Sequence, residues 1–64
     1  MAFETVANPQ ARRQYEKFLS NIVSGEDRDG NYNRALGALE ILYPQWSDWE
    51  RQDALDHDIE METE

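Results

Sequence analysis

The residue types with most chemistry in them are gathered at one end of this chain. In "YPQWSDWERQDALDHDIEMETE", residues 43–64, the aromatics Tyr43, Trp46 and Trp49 stand three apart, and from Asp56 onward a carboxylate takes every second position. Residues 47–64 hold eight acids against Arg51 alone, net −7. Residues 1–46 hold six acids and five bases, net −1. The overall charge of −8 therefore averages a nearly neutral body with a strongly anionic end. Such an end repels nucleic acid and anionic membranes, and it is drawn to basic protein surfaces.

The charge has a spacing as well as a sign. A helix over residues 48–64 would extend about 25 Å. Its eight carboxylates would then fall one per roughly 3 Å, against one phosphate per about 3.4 Å of axis on a strand of B-DNA. A groove built to hold nucleic acid would be attracted to this segment, and salt would weaken the attraction. Solubility alone is the plainer account of the same acids. Trp and Tyr are favoured anchors at protein interfaces, although a small core also needs large apolar residues. Trp49 lies away from Leu55 around a helix and is the better candidate for exposure. Trp46, just before the helix start, suits packing on the preceding helix. The expected partner-binding residues are Trp46, Trp49, Asp53, Asp56, Asp58, Glu60 and Glu62.

Other chemistries fit less well. In "GEDRDGN", aligning Gly30 with the invariant glycine of a calcium loop puts Gly25 at position one and Leu36 at position twelve. Both positions need oxygen ligands, so the segment reads as a solvated turn. Asp53, His57 and Glu60 or Met61 share a helix face, but one imidazole among scattered acids singles out no metal geometry. With no cysteine, disulfides and thiolate zinc sites are excluded. The chain also lacks a glycine-rich phosphate cradle and enough length to enclose an ordinary substrate pocket. No cofactor, metal or catalytic residue is expected.

The elements that position these residues follow from periodicity and punctuation. Asn8-Pro9 suits an N-cap and first helical position. Ala11, Tyr15, Phe18, Leu19, Ile22 and Val23 then fall on one arc, and Gly25 is a natural stop. This predicts a helix over about 9–24. A second is predicted over about 31–43, with Tyr32, Ala35, Leu36, Ala38, Leu39, Leu42 and Tyr43 covering nearly half its circumference and Ile41 pointing away. So broad an apolar surface suggests a central helix, with Gly37 and its neighbouring alanines admitting a close backbone. Pro44 ends it. Ser47-Asp48-Trp49-Glu50 is a capping box that opens a third helix over about 48–59. Beyond that, Asp56/Glu60, Asp58/Glu62 and Glu60/Glu64 are repulsive pairs at i,i+4. Anions at a helix C-terminus also oppose the dipole, so fraying is expected from about Ile59.

The fold class is thus all-α, a small three-helix domain over residues 1–58 with a frayed acidic tail at 59–64. "MAFETVA" has neither a basic stretch nor an apolar run of signal-peptide kind, and no segment reaches the roughly 20 apolar residues of a membrane span. A cytoplasmic protein is expected. In size and charge the chain resembles small acidic proteins of phages and mobile elements. The expected function is non-enzymatic: a small inhibitor or regulator that occupies a basic, nucleic-acid-binding surface of a larger protein, without touching nucleic acid or membrane itself. The alternative is a structural or accessory subunit acting through apolar helix faces. It includes a homo-oligomer in which the acidic end meets Arg12, Arg13 and Lys17 of a second copy or folds back on its own.

Overall fold

Local punctuation sets three helices, and the computed structural model describes residues 8–63 of them and their joints. α1 is Pro9–Val23, α2 is Arg28–Leu42 and α3 is Asp48–Thr63. The Asn8 side chain accepts the Ala11 N–H at 3.0 Å, with Pro9 at the first helical position. At the other end of α1 the Gly25 N–H donates to Ile22 O and the Glu26 N–H to Asn21 O. Gly25 itself has φ +89°. These two bonds and a left-handed glycine close the helix in a Schellman turn.

α2 begins three residues earlier than the periodicity suggested. The cause is Asn31, buried although polar. Its amide donates to the carbonyls of Glu26 and Asp27 at 2.9 and 3.0 Å and its oxygen accepts from Asn21 at 3.2 Å. One side chain thereby satisfies the carbonyls of the turn and ties it to α1. Asp27, at φ 36°, holds the left-handed position before the helix, a conformation Asp tolerates better than most residues. The helical start at Arg28 also removes the second half of the supposed calcium loop from any loop geometry.

α1 and α2 pack against each other along their length, and α3 lies against both over shorter stretches. α2 has the two neighbours expected of it, but each of the other helices also touches both of its partners, so α2 is no more central than they are. Its broad apolar arc is shared instead: Ala35, Ala38 and Leu39 are buried, while Tyr32, Leu36, Leu42 and Tyr43 are only partly covered. Tyr15, Leu19 and Ile22 of α1 and Leu55 and Ile59 of α3 complete the core. The small side chains that let helices approach are Ala35 and Ala38. Gly37 takes no part: it is exposed, with open space where a Cβ would stand.

α3 continues to Thr63, four residues past the expected end. Ile59 is buried and anchors the penultimate turn. The Thr63 hydroxyl donates to the carbonyls of Ile59 and Glu60 at 2.9 and 3.2 Å, and the second of these is an acceptor that the helix end leaves open. Glu64, and with it the Glu60/Glu64 pair, lies outside the described residues. Among the described residues no helix is long and apolar enough to cross a membrane.

Candidate functional site

The corner between α2 and α3 is built by a side chain whose role was not anticipated. Pro44 and the break after Leu42 leave carbonyls without helical partners. Arg51, the only base after residue 46, fills that need and is buried. Its Nη1 donates to Tyr43 O at 3.0 Å and Trp46 O at 2.6 Å, and its Nη2 to Asp48 Oδ1 at 2.7 Å. Tyr43 O also accepts the Trp46 N–H at 3.1 Å, which makes residues 43–46 a turn with proline second, its favoured place. The Tyr43 and Trp46 rings stack across it, centroids 4.1 Å apart and planes 9° off parallel. The capping box forms: Ser47 N–H donates to Glu50 Oε1 at 2.7 Å and Glu50 N–H to Ser47 Oγ at 3.4 Å. Trp46 is thus half-buried on the end of α2.

Trp49 is different. It is 68% exposed, in the first turn of a helix whose start is firmly held. Residues 49, 53, 56 and 60 recur at spacings of four, three and four, so Trp49, Asp53, Asp56 and Glu60 form one outward stripe. All four are exposed. His57 flanks the stripe, and an open hollow lined by Arg28, Asp53, Asp56, His57, Ile59, Glu60 and Thr63 runs beside it.

The remaining two acids face elsewhere. Asp58 is half-buried and accepts a hydrogen bond from the Tyr15 hydroxyl of α1. Asp58 and Glu62 line a groove with Arg12, Tyr15, Glu16, Leu19, Ser20 and Val23. The seven expected binding residues therefore fall into three places: Trp46 at the corner, four on the outward stripe, and two on the side facing α1. The outward stripe alone carries three carboxylates across eight residues, spaced about 5 Å apart along the axis. Only the whole circumference of α3 approaches the density of a DNA strand.

Asp56 has an internal role too, since it accepts from the Tyr32 hydroxyl of α2 at 2.7 Å. Burial first, then the hydrogen bond to Asp56 and its negative charge, push the Tyr32 hydroxyl up to about 12. Tyr15 is raised further, by burial first and then by the hydrogen bond and charge of Asp58. These two clasps were invisible in the periodicity, which read both tyrosines as apolar. The available signal was chemical: a tyrosine in a core needs a partner for its hydroxyl, and α3 presents mainly carboxylates.

The bases of α1 do not engage the acidic helix. Arg12 pairs with Glu16 at 3.4 Å within α1, and among the described residues no ion pair joins α1 to α3. Every buried side-chain nitrogen and oxygen among them has a hydrogen-bond partner. No group of three metal-ligating side chains is assembled among them either. Comparison of the chain with protein-family models, with curated proteins and with solved structures finds no match to any of them.

Proposed function

We propose that this protein is a non-enzymatic inhibitor or regulator that occupies a basic, nucleic-acid-binding surface of a larger protein. One observation carries the reading: an exposed tryptophan, Trp49, heads an outward stripe of carboxylates on a helix with firm support at its N-terminal end. An exposed apolar anchor beside unspent charge suits recognition of a partner that is itself positive. The binding residues are Trp49, Asp53, Asp56 and Glu60, with Trp46 beside them. Asp58 and Glu62 add charge from the flank.

The test uses the whole protein, immobilised, to capture its partner at low salt. Binding should be lost as salt rises, and duplex DNA should displace the partner. Neutralising Asp53, Glu60 and Glu62 to Asn or Gln should abolish capture while leaving the fold intact, because none of these three clasps another helix. Retention by the neutralised variant would reduce the acids to a solubilising role.

A second reading, an accessory subunit joined through apolar contacts, is favoured by Ile41 and Met61, which are 55% and 63% exposed. It requires binding that barely responds to salt and survives neutralisation. Salt dependence separates the two.

A further inference from the structure

The hollow at the α2–α3 corner is lined by Trp46, Trp49, Glu50, Asp53 and Ala54. Three other hollows on the molecule each include an arginine, Arg28 or Arg12. This one includes two carboxylates, two indoles and no base.

Much of its lining is fixed before any partner arrives. Trp46 is stacked on Tyr43, and its carbonyl is held by Arg51. Glu50 is held in the capping box through one of its two oxygens. Asp53 enters no ion pair among the described residues. One fixed indole, a second exposed beside it, and adjacent carboxylates together favour a cation that is also planar. Tryptophan is the strongest of the side-chain cation–π partners. A guanidinium can lie flat on an indole and still direct a fork of N–H groups at a carboxylate, whereas an ammonium is a compact and strongly hydrated point charge.

We infer that this hollow receives the guanidinium of an arginine on a basic segment of the partner protein's surface. The inference rests on the functional reading above and specifies its contact: Trp46 and Trp49 take the face of the guanidinium, Asp53 and Glu50 its N–H groups. Asp56 and Glu60, farther along α3, attract the same segment without selecting its side chain.

Two unstructured peptides of equal length and charge test it, one carrying arginines and the other lysines between glycine and serine. Each is titrated into the full-length protein at about 0.15 M salt, where exposed charges reach only about 8 Å. The arginine peptide should bind roughly tenfold more tightly and should shift the tryptophan fluorescence. Trp49→Ala and Asp53→Asn should each erase that preference. Glu60→Gln should weaken both peptides alike and keep it.

Equal binding of the two peptides by the unmodified protein, or a preference that survives Trp49→Ala, would overturn the inference. So would sedimentation showing a dimer that Trp49→Ala dissolves, since the hollow would then belong to a second copy. The first two results leave the inhibitor reading standing, because displacement by duplex DNA decides that separately. An arginine preference without competition from DNA would keep the hollow and remove the inhibitor reading.

Discussion

Tyr15 and Tyr32 show how much a single hydroxyl can settle in so small a domain. Each donates to a carboxylate of α3, Asp58 and Asp56 respectively, and each holds its proton more firmly folded than unfolded. A raised folded-state pKa means stability fully present below the unfolded value near 10 and lost as pH climbs through the folded one. The urea midpoint of the native protein should therefore be flat from pH 8 to 10 on this account and fall toward pH 12. Tyr15→Phe with Tyr32→Phe should be less stable at pH 8, by about 1–2 kcal/mol for each lost bond to a charged acceptor, and should lose less on going to pH 12. An equally steep fall in the double variant would assign the loss to general charge repulsion instead. These contacts span 43 and 24 residues of sequence, and that distance explains their illegibility. Periodicity reports which side of a helix is apolar, not which distant group a hydroxyl meets. Asn8, Gly25, Pro44 and Ser47 were legible because each acts on backbone within four residues of itself.

At the scale of elements, the α2–α3 corner depends on Arg51 rather than on the ion pair it makes. Asp48 is 86% exposed in that pair, so its charge is largely screened by water. The carbonyls of Tyr43 and Trp46 have more to lose. Arg51→Met, which keeps the aliphatic volume, should cost about 2–4 kcal/mol in chemical denaturation, and Asp48→Asn less than about 1 kcal/mol. Arg51→Lys should recover only part, because an ammonium cannot fork across two carbonyls and a carboxylate. A larger loss from Asp48→Asn than from Arg51→Met would contradict this ordering. Arg51 was legible only as a lone base among acids; its acceptors belong to a turn whose shape a sequence does not display. The far end of α3 is the weaker one. Beyond Ile59 its side chains are exposed, and Asp56/Glu60 and Asp58/Glu62 repel along the helix. Amide exchange should show strong protection at Leu55 to Ile59, falling across Glu60 to Glu62 and recovering there when salt is added. Uniform protection through Glu62 at low salt would show that Thr63 closes the helix more tightly than the acids oppose it.

Across the whole molecule, an excess of negative charge works against a compact state. The protein measures 37 × 22 × 21 Å. At 0.01 M salt the screening length is about 30 Å, so its carboxylates repel one another across most of that span, and at 0.15 M it is about 8 Å. Raising NaCl over that range should raise the urea midpoint, before any specific effect of the salt. A falling midpoint would mean that the attractive pairs, Arg12–Glu16 and Arg34–Asp27, outweigh the repulsion. The same charge is what the proposed partner would neutralise, so binding and stability should rise together. The two tyrosine clasps bear on this through rotation. Asp56 and Asp58 lie about 200° apart around the helix axis, one caught from α2 and the other from α1. Two catches on nearly opposite sides leave a rod free neither to roll nor to be re-aimed. The heading of Trp49 and its carboxylates is thus set in part by the Tyr15 and Tyr32 hydroxyls, which lie outside the proposed binding stripe, and loosening either catch would turn the presented surface aside while every residue of the stripe stayed the same.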